Sequence, residues 1–234
     1  MAKFSFPGAR TPGRGARPSA DAVAVLGLGR FGAAVALELM AEGSEVLGVD
    51  SNEEAVQRMD GRLTFVVTAD STDPEVLDQL SVPEFDRVVL TIGSNIAASV
   101  LTASQLIRSG VAQVWAVAAS EQHGLILDQI GVHHVVYPEQ DMGRRVAHLV
   151  RASLLEYIRV GDDFAVAETV PHAAVVGVPL DPEQIQRTYG VSVLARRTMA
   201  GAWEYAGAGM VLAPRDRILI AGPPERIDVF NRHG

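Results

Sequence analysis

Three glycines in the run GLGRFG, Gly27, Gly29 and Gly32, stand 18 residues before an aspartate, Asp50, in a chain of 234 residues. The glycines follow a short apolar run, Val23 to Leu26, and open a helical pattern from about Phe31 to Glu42. In such a setting the first glycine permits a tight turn, the second lets the main chain approach an anion, and the third lets the helix lie against the strand. Helix first-turn amides and the helix dipole then stabilise a phosphate. Asp50 closes the next apolar run, EVLGVD, where a carboxylate accepts hydrogen bonds from ribose hydroxyls and repels a 2′-phosphate. Charged hydrogen bonds of that kind contribute roughly 1.5–3 kcal/mol each. The segment Gly27, Leu28, Gly29, Arg30, Phe31, Gly32 with Asp50 is therefore expected to bind the diphosphate of an adenine nucleotide, with a 2′-phosphorylated dinucleotide disfavoured. Arg30 lies inside the loop and can pair with a phosphate at its open end; the alternative is a surface arginine. Asp70 follows the third strand pattern, where it either accepts from an adenine amine or caps the next helix.

The elements that must hold these residues alternate regularly. Strand patterns at 23–26, 45–50, 64–68, 87–92, 113–117 and 133–137 are separated by helical ones at 31–42, 51–59, 74–80, 95–109 and 121–130. Ser51 with Glu54 reads as a capping box, and Asp73 with Pro74 as a helix start. Six strands alternating with helices predict a Rossmann-like, doubly wound parallel sheet over residues 21–137. From Pro138 the pattern changes. A long helix is expected from Glu139 to about Ile158, a connecting and dimerisation helix over 138–160, with Gly161–Asp163 as a linker. Residues 161–234 then form a small α+β lobe, with strands at 164–170, 191–197 and 216–222 and helices at 182–188 and 224–232. A lobe of that size is marginal alone and tends to dimerise.

Composition narrows the function classes. Nearly half the residues are hydrophobic (48%), and no run reaches the roughly 18 apolar residues of a bilayer span. The expectation is a cytoplasmic protein that meets the membrane only through a partner. With no cysteine there is neither a disulfide nor a thiolate site. Net charge is −8, yet the first twenty residues hold Lys3, Arg10, Arg14 and Arg17 and no acid, so the remainder carries −12. An acidic body argues against a nucleic-acid partner. The leader, residues 1–20, reads as a disordered, solubilising tail or as a segment touching an anionic surface. His123, His133, His134, His148, His172 and His233 are scattered, none in a recognisable acid–base setting, and there is no phosphate-loop lysine. Binding without turnover is expected. An NAD-dependent oxidoreductase, or an NAD(H)-binding redox sensor, is the competing reading.

The segments VAVLGLGRFG, EVLGVDSNEEAV, TIGSNIAASVLTA and VVYPEQDMGRRVA resemble the RCK family (regulators of potassium conductance), in particular the cytosolic subunits of bacterial Ktr and Trk potassium uptake, over about residues 21–234. The resemblance implies homodimers assembling into an octameric ring beneath a membrane potassium channel subunit, with ATP and ADP holding different ring shapes and NADH possible in the same pocket. It implies that Arg30 reaches the terminal phosphate, that Asp50 takes the ribose, and that Glu139 helps hold a cation near the phosphates. It also implies a cyclic di-AMP site in the C-terminal lobe, although Gln186 and Arg187 are shifted against the expected pattern. Where relatives often carry a lysine after the Trp of strand five, this chain has Val117, following Trp115 and Ala116.

Overall fold

The computed structural model describes residues 18–152, 154–198 and 201–232. Most of the expected leader, with its four basic residues, lies outside that range, as does His233. The chain divides into two compact units, Met1–Pro138 and Glu139–Gly234.

The first unit alternates β1 (Val23–Leu26), α1 (Arg30–Ala41), β2 (Val46–Asp50), α2 (Glu53–Met59), β3 (Phe65–Thr68), α3 (Pro74–Gln79), β4 (Arg87–Leu90), α4 (Ile96–Arg108), β5 (Gln113–Val117), α5 (Glu121–Ile130) and β6 (His134–Val136). All six strands are parallel, in the order β3-β2-β1-β4-β5-β6. The sheet is thus doubly wound, with strand order reversing between β1 and β4. β1 is buried at every position, as a central strand covered on both faces must be. One core packs Leu26, Leu47, Phe85, Leu90, Leu106 and Leu127. Another packs Val25, Leu28, Ala36, Met59 and Leu63.

Helix starts are fixed by side-chain caps. Asp73 accepts from the Glu75 amide ahead of Pro74, Asn95 from Ala98, and Ser120 from His123. The α2 cap differs from the expected Ser51: Asn52 accepts from the amides of Glu54 and Ala55. The Asp50 carboxylate holds the Asn52 amide, so the chain leaves the strand one residue later and Ser51 is released toward the sheet's C-terminal edge.

The second unit opens with α6 (Pro138–Ala152), followed by β7 (Glu156–Val160), β8 (Phe164–Thr169), α7 (Pro182–Tyr189), β9 (Ser192–Arg197), β10 (Trp203–Tyr205), β11 (Arg217–Gly222) and α8 (Pro224–Arg232). Its five strands form an antiparallel sheet, β10-β9-β11-β8-β7. The helix expected to reach Ile158 therefore stops at Ala152, and residues 156–160 are a strand. Glu-Tyr-Ile-Arg-Val is a strand-favouring run. Gly161–Asp163 is no linker but the hairpin turn that folds β7 onto β8, with Gly161 at φ 66. Arg159 secures the turn by donating to the carbonyls of Gly161 (3.0 Å) and Asp162 (2.6 Å). Strand β10, absent from the sequence reading, adds an edge to β9. The core joins Tyr157, Ala165, Ile185, Ile218, Ile227 and Phe230. On α6, Met142, Val146 and Val150 form an exposed apolar row at four-residue spacing.

Candidate nucleotide site

Beside the reversal point, past the C-terminal ends of β1, β2, β3 and β4, lies an open cleft of about 600 Å³. Ligands of doubly wound sheets bind at that place. Each motif glycine there has its own steric reason. Gly27 has φ 102, and a side chain on it would meet Thr91. A Cβ on Gly32 would lie 2.0 Å from the Gly27 carbonyl oxygen and 2.4 Å from Thr91 Oγ1, so the helix reaches its position only without one. A Cβ on Gly29 meets nothing within 4 Å. Gly29 lines the cleft, and its missing side chain leaves space that no described residue fills.

The donors for an anion are in place. Gly29 is the residue before α1 and has no side chain to cap it. The amides of Arg30, Phe31 and Gly32 donate to no described residue. A helix N-terminus with free amides at an open turn fits a phosphate group. Arg30 is exposed and makes no ion pair with a described residue.

Asp50 ends β2 and lines the cleft. One carboxylate oxygen accepts from the Leu28 amide at 2.5 Å and the other from the Asn52 amide at 2.8 Å. The side chain thus staples the glycine turn to the end of β2. Each oxygen keeps a further lone pair for a hydroxyl. Leu28 itself is buried under the turn and serves the core, whereas Phe31 is exposed.

Asp70 also lines the cleft. It does not cap α3, which Asp73 does. Its Oδ1 accepts from the Thr72 amide (2.9 Å) and hydroxyl (2.8 Å), and these bonds hold the carboxyl below its usual range. The loop is pinned from behind: Gln105 donates to the Thr72 carbonyl at 2.7 Å and Thr102 to that of Ser71 at 3.2 Å.

Several cleft residues were not assigned to the site from sequence: Ser51, Thr72, Thr91, Ser94 and Asn95. Thr91 ties the floor together, its hydroxyl donating to the Gly27 carbonyl at 2.6 Å. The TIGSN run follows the fourth strand, and the rule that sites gather at strand C-termini beside the reversal point was the available signal. Glu139 stands exposed in the first turn of α6, in the second unit. Among the described residues no three His, Asp or Glu side chains are grouped to hold a metal.

The described histidines have structural settings. His123 is buried, its Nδ1 accepting from the Ala119 amide at 3.2 Å. His133 Nδ1 accepts from the Val114 amide at 3.0 Å, and His134 stacks on Trp115 at 3.9 Å on the edge of the sheet. His148 stacks on Tyr157, and His172 packs edge-on against Tyr189 and Phe230.

The sequence profile of the TrkA-N domain matches residues 23–138. The chain is 33% identical to the Ktr system potassium uptake protein C of Bacillus subtilis (strain 168) over 210 residues, covering 89% of this chain and 95% of that one. It is also 33% identical to the Ktr system potassium uptake protein A of Vibrio alginolyticus, covering 87% of this chain and 93% of the relative. Among solved structures, the GsuK channel bound to NAD superposes with a TM-score of 0.63 at 18% identity, over 97% of this chain and 40% of that one. GsuK bound to ADP gives 0.52 at 18% identity, over 65% of this chain and 38% of the other. No helix among the described residues is long and apolar enough to cross a membrane. The two Ktr relatives match nearly end to end, and the chain belongs to the RCK family, together with the Ktr system potassium uptake proteins A and C.

Proposed function

We propose that this chain is the nucleotide-binding, gating subunit of a Ktr-type potassium uptake system, and that the cleft at the β1–β4 reversal takes ATP or ADP. The observation that carries the proposal is the space left by Gly29 beside free first-turn amides, with Asp50 across the turn. The diphosphate sits on those amides. Asp50 takes the ribose through its remaining lone pairs, Asp70 the adenine edge through the oxygen that Thr72 leaves open, and Arg30 the terminal phosphate. The exposed row on α6 supports a homodimer, and dimers assemble into an octameric ring on the cytoplasmic face of the channel subunit. Cyclic di-AMP is a further ligand proposed for the second unit.

Gating requires that the nucleotides differ in affinity for two ring shapes, since a ligand with equal affinity shifts nothing. Couplings of about 1–3 kcal/mol per site are typical, and several equivalent sites multiply them. The subunit binds without turnover. The test is calorimetric titration of the full chain with ATP, ADP and NADH, with and without Mg²⁺, beside Arg30→Ala. Binding of ATP and ADP is expected, weaker for ATP in Arg30→Ala, and channel flux in reconstituted vesicles should then follow the nucleotide. Absence of binding by all three sinks the proposal. Selective NADH binding replaces it with a redox sensor, a reading favoured by Val117 standing where relatives often carry a lysine and by the NAD in the GsuK structure. Steady phosphate release lost in Asp50→Ala would overturn binding without turnover.

A further inference from the structure

The second unit gathers positive charge at one end of its sheet. Arg197 closes β9 and Arg217 opens β11, and the register sets the two directly opposite each other. Directly opposed residues on antiparallel strands project from the same face, and like charges in that position oppose pairing. Arg215, in the turn before β11, joins them on the rim of an open depression of about 610 Å³ completed by Val170, Thr198 and Pro214.

The protein compensates this charge only in part. Arg217 donates to Glu168 Oε1 at 3.1 Å, and Arg197 Nε donates to the Gly201 carbonyl at 3.2 Å. Arg215 makes no hydrogen bond or ion pair with a described residue. Asp216 forms no ion pair with them: it is 4% exposed and its Oδ2 accepts from the Ala213 amide at 2.8 Å. Neighbouring Arg196 is engaged elsewhere, by Glu204 at 2.6 Å and the Val211 carbonyl at 3.0 Å. Three guanidiniums thus share one carboxylate, in a chain whose net charge is −8.

We propose that this depression is a site for a phosphate-bearing anion. Guanidinium forks match phosphate oxygens in pairs, and an anion between Arg197 and Arg217 converts their repulsion into a bridge across β9 and β11. Arg215, on a turn, closes over the ligand. The same chemistry serves a soluble phosphate compound or an anionic lipid headgroup.

The test uses the full chain and two probes. Inorganic pyrophosphate is titrated calorimetrically into the protein, Arg215→Ser, Arg197→Ser and Gly29→Ala, the last altering only the cleft of the first unit. One binding event is expected to survive Gly29→Ala and to weaken roughly ten-fold or more in each arginine variant, the equivalent of one lost charge-assisted contact. In parallel, the proteins are sedimented with vesicles of equal parts phosphatidylglycerol and phosphatidylcholine. Sedimentation lost in Arg215→Ser assigns a lipid headgroup, whereas pyrophosphate binding alone assigns a soluble ligand. Folding is checked by thermal melting, where pyrophosphate should raise the midpoint of the parent and not of Arg197→Ser. A pyrophosphate event that responds only to Gly29→Ala, with sedimentation indifferent to Arg215, overturns the proposal.

Discussion

In the first unit the cleft is shaped by what is missing: a side chain on Gly29, another on Gly32, and partners among the described residues for the first-turn amides of α1. At the arginine end of the second unit the depression is shaped by side chains in excess, three guanidiniums at one end of the antiparallel sheet. The first arrangement is rigid, since main-chain atoms cannot move aside without moving β1 and β4. The second is adjustable, since long side chains on a turn rearrange at little cost. A main-chain site selects by shape and a side-chain site by charge. The first should therefore be sensitive to single methyl groups, the second to salt and substitution of charge.

The largest expected effect is that of Gly32→Ala. The added methyl would stand 2.0 Å from a main-chain carbonyl oxygen, where no flexible end can yield. Overpacking costs about 1–3 kcal/mol and occasionally more; a clash with main chain belongs at the upper end. The chain has two tryptophans, Trp115 in the first unit and Trp203 in the second. Urea unfolding in a Trp203→Phe background should show the Trp115 transition of Gly32→Ala lowered by about 3 kcal/mol. In a Trp115→Phe background the Trp203 transition should move by less than about 0.5 kcal/mol. Equal movement of both would break the comparison between the units.

Gly29→Ala is the complement. Its methyl meets nothing within 4 Å, so stability should change by no more than about 0.5 kcal/mol. The methyl nevertheless occupies the approach to the phosphate, and nucleotide affinity should fall roughly ten-fold or more, equivalent to about 1.4 kcal/mol. Calorimetric titration with ADP measures this. Unchanged affinity would show that the glycine turn is only a packing device.

The two units also differed in how far their sequences disclosed them. In the first, each element is local: an apolar run, a cap, a helix, a glycine. Asp73–Pro74 and Gly131, at φ 95 after α5, mark boundaries with residues that have few other uses. The one cap misread, Ser51 for Asn52, turned on a tertiary bond from the Asn52 amide to Asp50. In the second unit the decisive information was pairing. Leu149, Val150, Leu154 and Ile158 continue a helical rhythm, and it is pairing with β8 across the hairpin at Gly161 that resolves Glu156–Val160 as a strand. Trp203–Tyr205 is a three-residue edge strand defined by its partner β9 and by little of its own. In the site, the motif residues were legible because dinucleotide folds constrain them to fixed spacing. Thr91 and Thr72 were not, because a threonine hydroxyl's role depends on the acceptor that faces it, the Gly27 carbonyl for Thr91 and the Asp70 carboxylate for Thr72.

Acid should separate the units as well. Burial lowers the affinity of His123 for a proton below its usual value of 6.5, and protonation would also forfeit the acceptor for the Ala119 amide. The unfolded chain then binds a proton that the folded chain resists. The contribution of neutral His123 is full above about pH 6.5 and is lost as pH falls through the lowered folded value. One such group changes stability by at most about 1.4 kcal/mol per pH unit. The Trp115 midpoint should decline as pH falls below about 6.5, and His123→Asn should flatten that decline. A slope unchanged by His123→Asn would mean that other groups govern the acid response.

The smallest effect sharpens the same contrast from the second unit. Glu156 accepts a paired contact from Arg145, Nε at 2.9 Å and Nη2 at 2.5 Å, and a further bond from the Tyr157 amide at 2.8 Å. The Arg145 contact first, and the amide second, hold its carboxyl below the usual 4.5. A lowered carboxyl contributes stability above its unfolded value and loses it as pH falls through the folded one. Both side chains are more than a third exposed, so solvent limits the pair to about 0.2–1 kcal/mol. Arg145→Ala should therefore lower the Trp203 midpoint slightly at neutral pH, and the difference should vanish once Glu156 is protonated in both proteins. These two groups set an order on acidification: the His123 contribution fades first, as pH falls below about 6.5, and the Glu156 contribution only below the ordinary carboxylate range. An Arg145→Ala difference that persisted below that range would assign the arginine's effect to packing of its methylenes against α6 and β7 instead of to charge.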